Sequence, residues 1–382
     1  MNVESLKVGV VGAGIGGLAA AIALRQKGAD VVVLEQAPEI AEVGAGLQIS
    51  ANGLTVLKAL GVLGDGPDMG QRSYGTILRD YKFGRFISRI GEPAAGPTYY
   101  YHRADLIDLL LKSAGEVGVE VRLGSKVQEI NEHPERAEIQ LATGDILPVD
   151  FVVAADGGRS AIRPILNGEE ILGFTNQVAW RATIPWDRVS KLPKAHLTMG
   201  PGRHVVTYPL RDQSLLNIVA IEERSDWQGE GWRLKGDPND LRARFSDFGG
   251  KVNDVLQEVQ DTYLWALFLR PVARKWQNGR VALLGDAAHP TLPFMAQGAC
   301  LALEDAWILA RSFEGNDVAD ALSAYVVART ARARKVVEAA SANARNFHLR
   351  GPARIAAQMA LTAFGGRLGR RYDWIYSYDA TA

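Results

Sequence analysis

The chain has 382 residues, 47% hydrophobic and 23% charged, which exceeds one ordinary core and reads as a soluble globular protein of two domains, or one large domain with an inserted layer. Its 43 basic and 43 acidic residues cancel, so no global field draws in nucleic acid or an anionic membrane surface. The single cysteine, Cys300, excludes an internal disulfide and any multi-cysteine metal site, fits a reducing compartment, and has the character of a small buried residue.

The N-terminal MNVESLKVGVV runs almost at once into a strand and has neither a basic leader nor a small-residue cleavage site. The most apolar helical stretch, residues 16–24, is far short of the roughly 20 residues that span a bilayer, so a cytoplasmic protein without a membrane segment is expected. Val8, Val10 and Val11 predict a buried strand, and the turn after it sets Gly12, Gly14 and Gly17 in the pattern GxGxxG before an alanine-rich helix. Gly12 permits a tight turn, Gly14 leaves room for a pyrophosphate, and Gly17 lets helix and strand lie close. Unpaired N–H groups at the helix start then face the phosphates. A second apolar run, residues 31–34, ends in Glu35, where an acid receives a ribose hydroxyl; FAD and NAD both satisfy that pattern, and a 2′-phosphate does not suit it.

Beyond Glu35 a glycine-rich loop (Gly44, Ala45, Gly46) leads to a helix over about 52–60, then to short strands at 76–78 and 85–90. Leu106, Leu109 and Leu110 recur at helical spacing and put Arg103 at the N-terminal edge of their helix, where a cation opposes the dipole and calls for an anionic partner. After a strand at 119–123, runs at 126–130, 137–141 and 146–149 alternate as an antiparallel meander, with His133 in a turn. The fully apolar run 151–155 is a core strand of parallel type and opens into DGGRSAIR, Asp156 to Arg163.

From Gly173 four strands are predicted, at 178–185, 195–199, 203–210 and 214–221, forming a mainly antiparallel layer apart from the nucleotide fold. In RHVVTYPL the β-branched Val205, Val206 and Thr207 mark a strand, so His204 and Tyr208 share one face about 13 Å apart by strand rise, and Arg203 points away. By spacing alone that histidine fits a satisfied sheet residue at least as well as a ligand-facing one. A polar, tryptophan-bearing segment (224–238) and two short helices follow. The chain then returns through a core strand at 279–284, the loop GDAAHPTLP (Gly285 to Pro293) and a helix at 299–310. The stretch 319–344 is alanine- and arginine-rich with helical period, and its arginines read as a solvated face.

The three loops GxGxxG with Glu35, DG at Asp156 and GD at Asp286 stand in the order and approximate separation of the flavoprotein aromatic hydroxylases, and the chain resembles that para-hydroxybenzoate hydroxylase-like family over nearly its whole length. The resemblance implies an α/β architecture: a Rossmann-like FAD-binding fold with an inserted, mainly antiparallel β-sheet substrate layer and C-terminal helices. The expected divisions are 1–172 and 271–345 for the FAD-binding fold, 173–270 for the substrate layer and 346–382 for a helical tail. Carried over residue by residue, Gly12, Gly14, Gly17, Glu35, Arg103 and Asp286 become FAD contacts, Val127 a backbone contact to the adenine, and Asp156 and Arg163 supporting residues.

There is no second GxGxxG, in keeping with a family that takes NADH or NADPH only transiently. The implied cycle reduces FAD with NAD(P)H, adds O2 at the flavin C4a position, and passes OH from the hydroperoxide to an electron-rich ring in a pocket closed to water. The implied substrate is a small phenolic aromatic acid, and the protein a monomer or homodimer with no nucleic-acid partner. The His204, Tyr208 spacing resembles the 3-hydroxybenzoate 6-hydroxylases and 6-hydroxynicotinate 3-monooxygenases, which makes His204 the group assisting phenol deprotonation, Tyr208 a substrate contact and Gln297 part of the substrate-side loop beside the flavin. The pyridine enzymes carry histidines where this chain has Leu47 and Phe294. Salicylate hydroxylases resemble the HRAD phrase and the YDW tail but have phenylalanine at the Tyr208 position, and the flavin-dependent halogenase phrase WxWxIP is broken here by Ala182. An FAD-binding protein or reductase without hydroxylase activity is the alternative of another class.

Overall fold

Residues 7–34 fold as their spacing predicts, into strand Lys7–Val11, helix Ile15–Gln26 and strand Asp30–Leu34, the two strands parallel with Lys7 opposite Asp30. The computed structural model describes residues 6–40, 46–64, 70–225, 227 and 234–382. Gly44 and Ala45 of the expected glycine-rich loop, and part of the polar segment 224–238, lie outside the described residues.

Strand Lys7–Val11 sits inside a six-stranded sheet of order 277–278, 281–283, 151–154, 7–11, 30–34, 120–122. All pairings in it are parallel except that of Gln277–Asn278 with Val281–Leu283. Its central strands are apolar on both faces because both are covered; every residue from Phe151 to Ala154 is fully buried. Helix Ile15–Gln26 packs closely on helix Gly298–Arg311, and a Cβ at Gly16 would stand 2.7 Å from the Leu284 side chain and 3.0 Å from that of Ala302. The meander Val127–Glu132, Ala137–Leu141, Ile146–Val149 is antiparallel, as its alternation implies.

The second layer is an eight-stranded sheet of order 234–236, 262–269, 173–185, 215–223, 203–210, 195–200, 76–80, 86–90. It corrects the expected division: strands Thr76–Asp80 and Phe86–Ile90, placed by the sequence reading in the first nucleotide segment, extend this sheet, Thr76–Asp80 pairing parallel with Ala195–Gly200. No loop length or pattern in 76–90 announces that pairing, which is made with a strand more than a hundred residues on. One face is covered by helices Pro238–Arg244 and Lys251–Gln257 and buries Trp180, Phe245 and Phe248. Arg203 lies on this side, its guanidinium beside Phe245, Phe248 and Asp247, away from His204 as the strand period requires.

A helix of 30 residues, Val318–Phe347, capped by the Asp317 carboxylate accepting from Asp320 N (3.0 Å), crosses behind helix Gly298–Arg311, and helix Gly351–Leu368 follows over the Phe86–Ile90 strand. The expectation that the arginines of 319–344 form a solvated face fails at Arg329, which is fully buried, and at Arg332, nearly so. Two acids on the neighbouring helix, Glu304 and Asp305, take their charges. Among the described residues no helix is long and apolar enough to cross a membrane.

Candidate active site

The three nucleotide loops converge at the carboxyl ends of the parallel strands, the position where open α/β sheets take ligands. Gly12 adopts φ +103°, and a Cβ there would lie 2.5 Å from the Ala155 carbonyl oxygen. At Gly17 a Cβ would lie 1.9 Å from Gly12 O. At Gly14 it would meet nothing within 4 Å. The same motif is therefore closed where strand and helix touch and open where a pyrophosphate is expected, so the residues present fit a dinucleotide.

Glu35 braces this turn, with Oε2 accepting from Ala13 N and Oε1 from Ala37 N, both at 2.9 Å. Val127 opens the meander two residues after Ser125, whose N–H binds Glu35 O at 2.7 Å, and so lies close beside Glu35 in the fold. Arg103 is the first residue of helix Arg103–Glu116 and acts electrostatically on Asp286. The Asp286 side chain is open to the cavity, and the protein crowded around it pushes its carboxyl upward, with His289 and Arg103 opposing.

Asp156 folds its own loop, Oδ2 accepting from Ala161 N (2.8 Å) and Ile162 N (3.2 Å), and burial raises its carboxyl despite those donors. The buried Arg163 donates from Nε to Glu170, from Nη2 to Pro271 O (2.6 Å), and from Nη1 to Ala287 O and Ala288 O (both 3.3 Å), which ties the DG loop to the GD loop.

A cavity of about 700 Å³ joins these loops to the free face of the eight-stranded sheet. Gly14, Arg103 and Asp286 line one end; His204, Val206 and Tyr208 form the floor of the other, with Arg181 two strands away across Val219. Gly12, Gly17, Glu35, Val127 and Asp156 do not line it and belong to the loop framework.

His204 is 2% exposed. Its Nδ1 is 2.8 Å from His348 Nε2, and the rings of Phe294 and Phe347 flank it, each centroid at 5.4 Å. Burial, reinforced by His348, holds its imidazole well below the ordinary 6.5, so it is neutral at pH 7. Tyr208 stacks tilted on Tyr100 with centroids 4.7 Å apart, and burial drives its hydroxyl well above 10, so it remains an O–H. Gly46 presses against it: a Cβ there would lie 2.7 Å from the Tyr208 ring and 2.8 Å from the Asn217 amide, whose Oδ1 accepts from Gly46 N at 2.7 Å.

Gln297 lines the cavity, but its amide is committed elsewhere, Nε2 donating to Ser50 Oγ (2.9 Å) and Oε1 accepting from Asn52 Nδ2 (3.0 Å). These bonds fix the loop that ends in the left-handed Ala296 (φ +52°). The sequence reading missed His348, and no local signal marks it, because its partner stands 144 residues away. Cys300 is buried. Among the described residues no group of three or more His, Cys, Asp or Glu could hold a metal ion.

A family model described as "FAD binding domain" matches residues 5–340. The 3-amino-4-hydroxybenzoate 2-monooxygenase PtmB3 of Streptomyces platensis is 32% identical, covering 98% of this chain and 96% of its own. The 3-hydroxybenzoate 6-hydroxylase of Polaromonas naphthalenivorans is 31% identical over 99% and 97%. Among solved structures, a salicylate hydroxylase substrate complex superposes with a TM-score of 0.84 at 26% identity, over 99% of this chain and 96% of that one. Klebsiella pneumoniae HpxO complexed with FAD and uric acid gives 0.85 at 26% identity, over 97% and 96%.

Proposed function

The chain belongs to the FAD binding domain family, and on that premise we propose that it hydroxylates a small phenolic aromatic acid of the 3-hydroxybenzoate kind, with His204 taking the phenolic proton. It is an FAD-dependent aromatic-ring monooxygenase. The observation that carries the substrate reading is one cavity shared by the nucleotide loops and by a buried, neutral histidine on the sheet floor.

Gly14 and the start of helix Ile15–Gln26 would hold the pyrophosphate of FAD, Glu35 would accept from a ribose hydroxyl, and Val127, Arg103 and Asp286 would contribute further contacts to the cofactor. When bound and reduced by NADH or NADPH, the flavin supplies the oxygen-activating chemistry. The protein supplies the state of the substrate. A phenolate ring is more electron-rich than a phenol, and a neutral imidazole is the side chain suited to accept that proton at pH 7. With His204 Nδ1 engaged by His348, Nε2 is the atom left for the cavity. Tyr208, held as an O–H, can donate a hydrogen bond to the substrate from farther along the same face. Arg181, whose guanidinium lies 4.0 Å from the Trp265 ring, places a cation on the same floor for the substrate carboxylate.

A second reading, salicylate-type hydroxylation with loss of the carboxyl group, is favoured by the likeness to the salicylate hydroxylase complex. The test is ligand-stimulated NADH and NADPH consumption over 3-hydroxybenzoate, 3-amino-4-hydroxybenzoate, salicylate and 6-hydroxynicotinate with product identification. A ring-hydroxylated product that keeps its carboxylate supports the first reading, and CO2 release the second. Consumption without any hydroxylated product would make the chain an oxidase or reductase and sink both.

A further inference from the structure

We propose that His348 and Glu223 carry the phenolic proton from His204 out to solvent, a relay that rests on the proposed hydroxylase reading and extends it beyond the cavity wall. His204 Nδ1 and His348 Nε2 are 2.8 Å apart, and His348 Nδ1 is 3.2 Å from Glu223 Oε1. Along that line side-chain exposure rises: His204 and His348 are buried, whereas the Glu223 side chain is 37% exposed. The three groups connect the cavity floor to bulk water.

The contacts with Glu223 and His204 together select one tautomer pattern. A carboxylate only accepts, so His348 must donate from Nδ1 to Glu223. Its Nε2 is then an acceptor, so His204 must donate from Nδ1, and His204 Nε2 is left as a lone pair. That is the tautomer a base facing the cavity needs. The arrangement is held from three sides. His348 caps the C-terminus of helix Val318–Phe347, where the helix dipole favours a proton on the ring. Its carbonyl accepts from Gly202 N (3.2 Å), and Gly202 O accepts from Glu223 N (2.9 Å), so a single turn fixes both ends of the second link.

The groups facing the relay are few. Arg350, in the connection just before the helix that follows, pairs with Glu223; the amide of Gln177, from strand Gly173–Pro185, lies 3.4 Å from His348 Nδ1; Phe294 and Phe347 flank His204. Those two rings leave His204 without a water shell, and an imidazolium there is disfavoured by burial. A proton accepted from the substrate must therefore move on.

The transfer balances at each atom. The substrate O–H bond breaks as His204 Nε2–H forms; His204 Nδ1–H breaks as His348 Nε2–H forms; His348 Nδ1–H breaks as a proton joins Glu223 Oε1 and passes to water. Both imidazoles end neutral, in the opposite tautomers, and the product phenolate resets the chain by taking the Nε2 proton of His204 while solvent refills Glu223.

The experiment uses the FAD-loaded protein, a weakly buffered solution with a pH indicator, and 3-hydroxybenzoate, salicylate and 3-amino-4-hydroxybenzoate as ligands in stopped flow. Ligand ionisation is followed by ultraviolet absorbance and proton release by the indicator. In the parent both occur together. His348→Gln keeps an acceptor for His204 Nδ1–H but cannot pass a proton on, so both signals slow by roughly 10²-fold, the low end for a lost proton-transfer group. FAD content and the rate of flavin reduction stay at the parental level. Glu223→Gln slows release less, and added imidazole restores His348→Ala. Parental rates of ionisation and release in His348→Gln overturn the relay while leaving the hydroxylase reading intact. Parental ionisation in His204→Ala, or no ionisation of any ligand by the parent, overturns the role given to His204 and the relay with it, while the hydroxylase reading is decided separately by product identification. Should His348→Gln lose its fold, histidine nitrogen NMR of the parent decides: Nδ1–H on both His204 and His348 supports the relay, and Nε2–H on either one overturns it.

Discussion

Arg329 Nε donates to Asp305 Oδ1 across 2.7 Å at a place where neither side chain meets solvent. Asp305 Oδ2 in turn accepts from Gly285 N (3.1 Å) and from His289 Nε2 (2.5 Å), so the pair is the anchor of the GD loop that presents Asp286. Removing one member leaves a buried charge without its counterpart, which costs about 3–5 kcal/mol. Arg329→Met is therefore expected to lower the stability of the apoprotein by that amount in urea unfolding, and to weaken FAD retention as the loop loosens.

The same anchor predicts an acid limb of stability. Burial alone would raise the Asp305 carboxyl, but His289 and Arg329 outweigh it and hold the group at about 2, below its ordinary 3.8. A carboxyl depressed in the folded state contributes its full stability above the unfolded value and loses it as pH falls towards the folded one. His204, depressed below 6.5 by burial and His348, contributes in the same direction at higher pH. Unfolding free energy measured against pH should fall below 6.5 from the histidine, and further between about 4 and 2 from Asp305. Arg329→Met should shrink the lower limb, because without that guanidinium the folded carboxyl lies nearer its unfolded value.

The three glycines of the first loop should separate fold from cofactor. Gly14→Ala adds a methyl group into open space, so the apoprotein keeps its thermal midpoint while FAD binds more weakly. Gly17→Ala drives a Cβ into Gly12 O and lowers the midpoint itself. Asp286→Ala should resemble Gly14→Ala. Flavin absorbance near 450 nm after gel filtration, an order-of-magnitude band position for a flavin, measures retention. Equal loss of midpoint in Gly14→Ala and Gly17→Ala would refute the division.

His204→Ala is expected to slow hydroxylation by about 10²-fold with little effect on flavin reduction, and to divert consumed reductant into hydrogen peroxide. Since the base must be neutral, and burial keeps the imidazole below 6.5, the parental rate should fall only on the acid side of that value. An acid limb of unchanged position in His204→Ala would return this histidine to a structural role.

Gly46→Ala tests the contact that sets Tyr208. The added Cβ would overlap the Tyr208 ring and the Asn217 amide, so one of them must shift. Product yield per NADH should drop with FAD content unchanged. Tyr208→Phe, which removes one hydrogen bond of about 1 kcal/mol without moving the ring, should raise KM roughly fivefold.

The nucleotide half of the molecule was legible because its information is local. Gly12, Gly14 and Gly17 are separated by single turns of chain, and the steric demands on them come from Ala155 and from Gly12 itself, at strand ends the apolar runs already locate. The common face of His204 and Tyr208 follows from the two-residue period of a strand, which no packing can alter. What covers that face is another matter. His348 reaches His204 only because a 30-residue helix ends over the sheet, a distance set by packing and by no spacing within either element. Likewise a helical period places Arg329 on a face but cannot say that the opposing helix offers Glu304 and Asp305, which turn a costly buried cation into an anchor. The amide of Gln297 and the strands at 76–90 obey the same logic: backbone pattern determines direction and period, while the partner at the end of that direction is decided by chain segments brought together in the tertiary fold.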